Sequence, residues 1–245
     1  MELSVVIPTY NEGERIGKTL ETVEEYFKNR GTVGEIIVVD DASSDTTCQK
    51  VEERMKKYKN ISLLRLEKNY YKGWPVKKGI LKASGKYVMY TDADLATSIE
   101  EADKLKKAID EGADLAIGSR AHPDGIDMRR TQPLYRRVLG KIFSKVKDIL
   151  ISDIKDSQCG FKMYTREVAK DLFSHQKIKN IIFEVEILYL AQKLGFKIAQ
   201  VPIQWQHSGE TRMRISLGNA VDTLASLFKI WLWHHNEKRV IFEKI

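Results

Sequence analysis

The sequence predicts an α/β fold built on a mostly parallel, doubly wound sheet. Two observations predict it. Short apolar runs of strand length alternate with amphipathic stretches of helical period through the first 120 residues. The charged and hydroxyl residues gather where those runs end, as ligand-binding residues do in open parallel sheets.

Residues 3–8 form the first strand-length run, and 14–29 follow as a helix with Ile16, Leu20, Val23 and Phe27 on one stripe. Residues 34–40 read as a second, buried strand ending in Asp40-Asp41. Asp45 or Thr46 caps a helix running to about residue 58. Residues 61–66 make a third strand, 74–83 a helix ended near Gly85, 86–92 a fourth strand, 99–111 a helix and 114–119 a fifth strand. Beyond Arg120 the pattern changes. Residues 121–132 read as a loop, and 133–150 as an amphipathic helix with Leu134, Val138, Ile142, Val146 and Ile149 on its stripe. Basic residues flank that stripe, among them Arg136, Arg137, Lys141, Lys145 and Lys147. Packing against the domain is the commoner reason for such a stripe, and lying on a membrane surface the sharper one. A helix over 183–193, a strand over 198–201 and a last helix over 216–234, carrying Trp231 and Trp233, complete the chain. There is no internal repeat and no evident domain boundary.

Bulk properties narrow the function classes. A chain of 245 residues can bury a sizeable core. The two cysteines, Cys48 and Cys159, match no metal or redox spacing, which points to a reduced, cytoplasmic compartment. The N-terminus lacks the basic region of a signal peptide, and no apolar stretch reaches bilayer-spanning length. The net charge of +7 describes a solvated basic surface, or attraction to anionic lipid and phosphate. No basic and aromatic nucleic-acid module accompanies it.

Asp92-Ala93-Asp94 stands at the end of the fourth run. Two carboxylates one residue apart repel and cannot enter a core. Mg²⁺ or Mn²⁺ resolves that repulsion with oxygen ligands, and a cation there can neutralise a diphosphate leaving group. Nucleotide-sugar transfer is the leading reading; a helix-capping pair is the plainer one. Asp40 can accept hydrogen bonds from a nucleobase or ribose, or cap the turn at Ser43-Ser44. Glu12 can serve the following helix N-terminus. Lys68, Asn69 and Lys72-Gly73 form a polar loop before a helix, suited to a diphosphate or simply solvated. Glu184 and Glu186 are two apart on a helix, so at most one points into a shared site. Gln158 contacts a sugar or fixes a turn.

Val5-Val6-Ile7-Pro8-Thr9-Tyr10-Asn11-Glu12, Val38-Val39-Asp40-Asp41-Ala42-Ser43-Ser44-Asp45 and Asp92-Ala93-Asp94 resemble the N-terminal signatures of the family 2 inverting glycosyltransferases, whose fold is GT-A. Gly118-Ser119-Arg120, Pro133-Leu134-Tyr135-Arg136-Arg137, Asp156-Ser157-Gln158-Cys159-Gly160-Phe161-Lys162 and Gly209-Glu210-Thr211-Arg212-Met213 resemble the polyprenyl-phosphate sugar synthases. Within those, Asp-Ala-Asp-Leu-Ala-Thr looks closest to the dolichyl-phosphate β-glucosyltransferases; the mannose synthases usually carry glutamine where this chain has Ala96.

The resemblance implies one GT-A domain over 1–245, with a nucleotide-sugar half at 1–120 and an acceptor half with amphipathic helices at 121–245. It implies that Pro8, Tyr10, Glu12, Asp40, Lys68, Asp92 and Gln158 hold the donor. Asp92 and Asp94 would hold the metal, and Arg120, Arg136 and Arg212 the acceptor phosphate. Asp92, Asp94, Arg120 and Glu184 would carry the catalysis, with Glu184 as base or positioning group. The implied reaction moves a hexose, glucose from UDP-glucose by resemblance, to polyprenyl (dolichyl) phosphate with inversion. The implied place is the cytoplasmic face of a membrane, held peripherally or by a membrane-embedded partner protein. Alternatives are a mannose synthase using GDP-mannose, a family 2 transferase with a soluble or polysaccharide acceptor, and a nucleotide-sugar-binding protein without turnover. A nucleotidyltransferase is disfavoured, because its Gly-rich basic loop is absent after residue 8.

Overall fold

Two apolar faces on every central strand need two helical layers, and the chain supplies both. The computed structural model describes residues 1–120, 147–206 and 217–236. Among them, seven strands form one sheet: β1 (Leu3–Thr9), β2 (Gly34–Asp40), β3 (Ile61–Arg65), β4 (Tyr87–Tyr90), β5 (Leu115–Ser119), β6 (Lys162–Thr165) and β7 (Ile198–Pro202). Their spatial order is β3-β2-β1-β4-β6-β5-β7. The helices are α1 (Ile16–Arg30), α2 (Thr47–Lys57), α3 (Gly73–Lys82), α4 (Ala102–Asp110), α5 (Arg166–His175), α6 (Phe183–Lys193) and α7 (Leu217–His234).

Strand alternation sorts the core. Val5, Ile7, Ile36, Val38 and Met89 face the layer holding Ile16 and Leu20 of α1 and Leu105 of α4. Their neighbours Val6, Ile37, Val39, Val88 and Tyr90 face the opposite layer, with Val76 and Ile80 of α3, Leu172 of α5, Leu188 of α6 and Ile230 of α7. This is the double winding the sequence predicts, and both faces of the inner strands are apolar for that reason.

Two elements depart from expectation. β6 and α5 lie where no element was assigned. β6 runs antiparallel to both β4 and β5, with Tyr90 opposite Lys162 and Ile117 opposite Lys162. It is four residues long and begins with a lysine, so it carries no strand pattern. β4 is shorter than the expected 86–92, so Asp92 lies beyond the strand rather than ending it. The helix expected at 133–150 falls mostly outside the described residues; 147–150 are helical. There the expected stripe is reversed: Ile149 is 82% exposed, while Lys147 is buried with its ammonium 2.5 Å from the Ile154 carbonyl.

Candidate active site

The parallel strands β1, β2, β4 and β5 end on one sheet edge, and β6, being antiparallel, begins there. The loops after the first four and the loop before β6 therefore meet. At the β1–β2 side, Asp40 is buried and accepts from the Ser43 backbone N–H at 2.9 Å and the Ser43 hydroxyl at 2.5 Å. Ser43 in turn accepts from the Asn11 N–H at 2.8 Å. Asp40 thus makes the Asx-type turn that a strand-end aspartate can make, and braces the segment 10–12 against it. Asp41 accepts from the Tyr70 N–H at 2.8 Å, and its burial raises its pKa. Asp45 does the capping expected of it or Thr46, accepting from the Thr47 N–H at 2.9 Å and from the Gly13 N–H at 3.0 Å. Glu12 pairs with Arg15 at 2.9 Å, and its carbonyl accepts from Arg15 and Ile16 at the start of α1. Pro8 is half-buried, Tyr10 is exposed, and Lys68 lies over the Tyr70 ring at 5.3 Å.

The centre of the edge is a chain of alternating charge. Asp92 Oδ1 is 2.7 Å from Lys72 Nζ, which lies 3.4 Å from Glu184 Oε1. Glu184 Oε2 is 2.6 Å from Lys162 Nζ. Lys162 is fully buried and donates also to the carbonyls of Ser157 (3.0 Å) and Cys159 (2.5 Å), so each of its three protons has an acceptor. Burial works to lower the Lys72 pKa, but Asp92 and Glu184 outweigh it and hold the ammonium above its usual value. Gly160 closes the centre: a Cβ there would stand 2.3 Å from Asp92 Oδ2. Asp94 turns back to accept from the Ala96 N–H at 3.1 Å. Gln158 Nε2 is buried with no hydrogen-bond partner among the described residues.

Of the two α6 glutamates, Glu184 faces the site. Glu186 points away, accepting from Lys177 N–H (2.9 Å) and Ile178 N–H (2.8 Å) and meeting buried His234 of α7 at 2.7 Å.

Beyond β5, Arg120 forks onto Asp156, Nε to Oδ2 at 2.7 Å and Nη2 to Oδ1 at 2.8 Å. Asp156 is buried. Burial pushes its pKa up, but the Arg120 hydrogen bonds and charge prevail and hold it below the usual carboxylate range. Arg120 lies 5.6 Å from the Trp205 ring, and the strap carrying Trp205 bridges to Thr97 beside the Asp92–Asp94 turn. Arg136 and Arg212 lie outside the described residues. The sequence reading missed the roles of Asp156 and Trp205 and the buried pairing of Lys162 with Glu184. Asp156 had a signal, a lone acid leading into a Gly-Phe-Lys turn; Trp205 had none.

Carboxylates 92 and 94 offer hard oxygen donors, and no third acidic or imidazole ligand joins them in a cluster among the described residues. That donor set fits Mg²⁺ or Mn²⁺ shared with substrate phosphates, which need only one or two protein carboxylates.

The chain matches the family model described as Glycosyl transferase family 2 over residues 4–173. It belongs to that family. The enzyme is 36% identical over 248 residues to a dolichyl-phosphate β-glucosyltransferase of Trichomonas vaginalis, covering 95% of this chain and 73% of that protein. It is 38% identical over 215 residues to the protein so named in Dictyostelium discoideum, covering 83% of this chain and 66% of that protein. Among solved structures, mannosyl-3-phosphoglycerate synthase of Rubrobacter xylanophilus aligns with 100% of this chain and 78% of its own, at TM-score 0.70 and 14% identity. Glucosyl-3-phosphoglycerate synthase of Mycobacterium tuberculosis, solved with Mn²⁺, UDP and phosphoglyceric acid, aligns at TM-score 0.62 and 18% identity, covering 94% and 77%. These neighbours share the GT-A fold, and the chain is a glycosyltransferase.

Proposed function

We propose that this glycosyltransferase moves glucose from UDP-glucose to dolichyl or another polyprenyl phosphate, with inversion, assisted by Mg²⁺ or Mn²⁺. The observation that carries the reading is the shared name of eight curated relatives, dolichyl-phosphate β-glucosyltransferases at 31–38% identity. The site's geometry suits it. Residues 1–120 supply Asp40, Lys72, Asp92 and Asp94 for the donor, and 121–245 supply Asp156, Lys162 and Glu184 toward the acceptor. We assign Pro8, Tyr10, Glu12, Lys68 and Gln158 to the donor role, and Arg136 and Arg212, together with Arg120, to the acceptor role.

An acceptor phosphate oxygen attacks the anomeric carbon as the bond from that carbon to UDP breaks, converting an α-linked donor to a β-linked product. A bound cation at Asp92 and Asp94 would stabilise charge on the departing diphosphate. Lys72, already between Asp92 and Glu184, is placed to do the same. Arg120 spends two of its five N–H groups on Asp156 and keeps three for a phosphate. The acceptor is a phosphate monoester with a second pKa of roughly 6, so it attacks as the dianion without a base. Both oxygens of Glu184 are engaged by ammonium groups, which suits a positioning group.

Among the described residues no helix is long and apolar enough to cross a membrane. We place the enzyme peripherally on a cytoplasmic membrane face, through the segment 133–150 and α7.

The test is transfer of labelled sugar from UDP-glucose, in parallel with GDP-mannose, to polyprenyl phosphate with Mn²⁺, Mg²⁺ or EDTA. We expect label in the organic phase from UDP-glucose alone. EDTA abolishes it, and Asp94→Ala cuts it by at least about a hundredfold, the scale of several kcal/mol of lost charge stabilisation. Label from GDP-mannose would overturn the donor. No lipid-phase label despite nucleotide binding would overturn the acceptor.

A further inference from the structure

β5 and β7 pair in parallel, with Gly118 beside Val201 and Ser119 beside Pro202, so both leave the sheet at the edge that carries the site. Arg120 follows β5 directly, and the strap 203–206 follows β7. The strap is fixed by its backbone. The Ile203 N–H donates to the Ser119 carbonyl at 3.1 Å, and the Gln206 N–H donates to the Ala96 carbonyl at 2.8 Å. One end is thus tied to the strand leading into Arg120, and the other to the turn that follows Asp92 and Asp94. Between these anchors the Trp205 ring lies over the Arg120 guanidinium, with the ring centroid 5.6 Å from Cζ, within reach of a cation–π attraction. The Arg120 side chain is only 17% exposed. Its fork onto Asp156 uses Nε and Nη2, one edge of a planar group. At the end of that group Nη1 and Nη2 each keep an N–H, and together they form a second fork matched to two phosphate oxygens.

We propose that Trp205 is a positioning residue of the transfer reaction: with Asp156 it holds the Arg120 guanidinium in the one orientation that presents this second fork to the acceptor phosphate. The inference rests on the assignment of Arg120 to the acceptor and goes beyond it. Asp156 fixes one edge of the guanidinium, and the ring fixes its plane. An indole suits that task. Its face attracts the cation without offering an oxygen that would compete for the N–H groups a phosphate needs. A second carboxylate in its place would take the second fork itself. The strap hangs on backbone hydrogen bonds, so removing the ring leaves those bonds in place and takes away only the wall over Arg120. The same strap ties that wall to the Asp92–Asp94 turn, which sets the acceptor's anchor at a fixed place relative to the donor's.

The experiment measures transfer to a water-soluble, short-chain prenyl phosphate at saturating UDP-glucose, so that vesicle binding plays no part. Calorimetry of UDP with Mn²⁺ runs alongside. Trp205→Phe keeps an aromatic face, and Trp205→Leu keeps apolar bulk alone. Trp205→Leu should raise the acceptor KM about tenfold, the scale of one partly desolvated cation–π contact, with UDP affinity unchanged. Trp205→Phe should recover most of that loss. In an Arg120→Gln background Trp205→Leu should add nothing, because the ring acts through the cation. Thermal melts report folding, and Trp205→Met replaces the leucine variant if that melts early. Equal losses in the phenylalanine and leucine variants would overturn the proposal, as would an acceptor KM that Trp205→Leu leaves unchanged. A further loss in the Arg120→Gln background would show the ring acting on its own and overturn it too. Weaker UDP binding by Trp205→Leu would move the ring's role to the donor. An acceptor KM untouched by Arg120→Gln, or no transfer by wild type, would remove the acceptor assignment itself and this proposal with it.

Discussion

A lysine with no solvent contact is costly unless every proton and its charge are answered, and Lys162 is answered by Glu184 and two carbonyls. Lys162→Met should therefore cost about 3–5 kcal/mol in urea unfolding, because Glu184 is left buried with Lys72 alone at 3.4 Å. Adding Glu184→Gln should recover part of that loss. The Arg120–Asp156 fork gives a pH signature. The folded carboxyl releases its proton more readily than the unfolded one. The stabilisation is complete above the unfolded value of about 3.9 and is lost as pH falls through the folded value. Unfolding free energy measured below about pH 5 should fall with acid in wild type and fall less steeply in Asp156→Asn. Arg120→Lys should not substitute, since an ammonium cannot match the two-point geometry. Asp92 and Asp94 were legible from the sequence because like charges at a strand end advertise themselves. The partnerships of Lys72 and Lys162 were not, because Lys72 and Glu184 are 112 positions apart and nothing local marks them.

Elements were legible where pattern and burial agree. β1 and β2 are apolar on both faces and were found almost to the residue; β6 is short, opens with a charged residue and owes its existence to pairing on both sides. The turn before β6 is set by close approach. Gly160→Ala would drive a methyl into Asp92 Oδ2 and toward Lys72 Nζ at 2.9 Å. It should reduce transfer at least about tenfold, a shift of roughly 1.4 kcal/mol at the site, while the thermal midpoint moves little. α7 is anchored by polar as well as apolar contacts, since buried His234 meets Glu186. His234→Ala should speed amide exchange over 222–234 while β1 and β2 stay protected.

At the scale of the whole molecule, one sheet takes strands from both halves of the chain, so the residues proposed for donor and for acceptor share one base. The point where the chain leaves β5 and the point where it re-enters at β6 are adjacent: the Gly118 N–H donates to the Phe161 carbonyl at 2.9 Å, and Arg120 grips Asp156. Everything between is an insertion whose two ends are stapled together by the sheet and by an ion pair. Its described part, 147–155, is itself packed: Ile151 and Ile154 are buried in the core, and the Lys155 N–H donates to Gln200 Oε1 at 2.8 Å. On the function proposed above, these two stapled ends mark where a relative's segment would be grafted to redirect the sugar, with 147–155 kept in place to preserve the core.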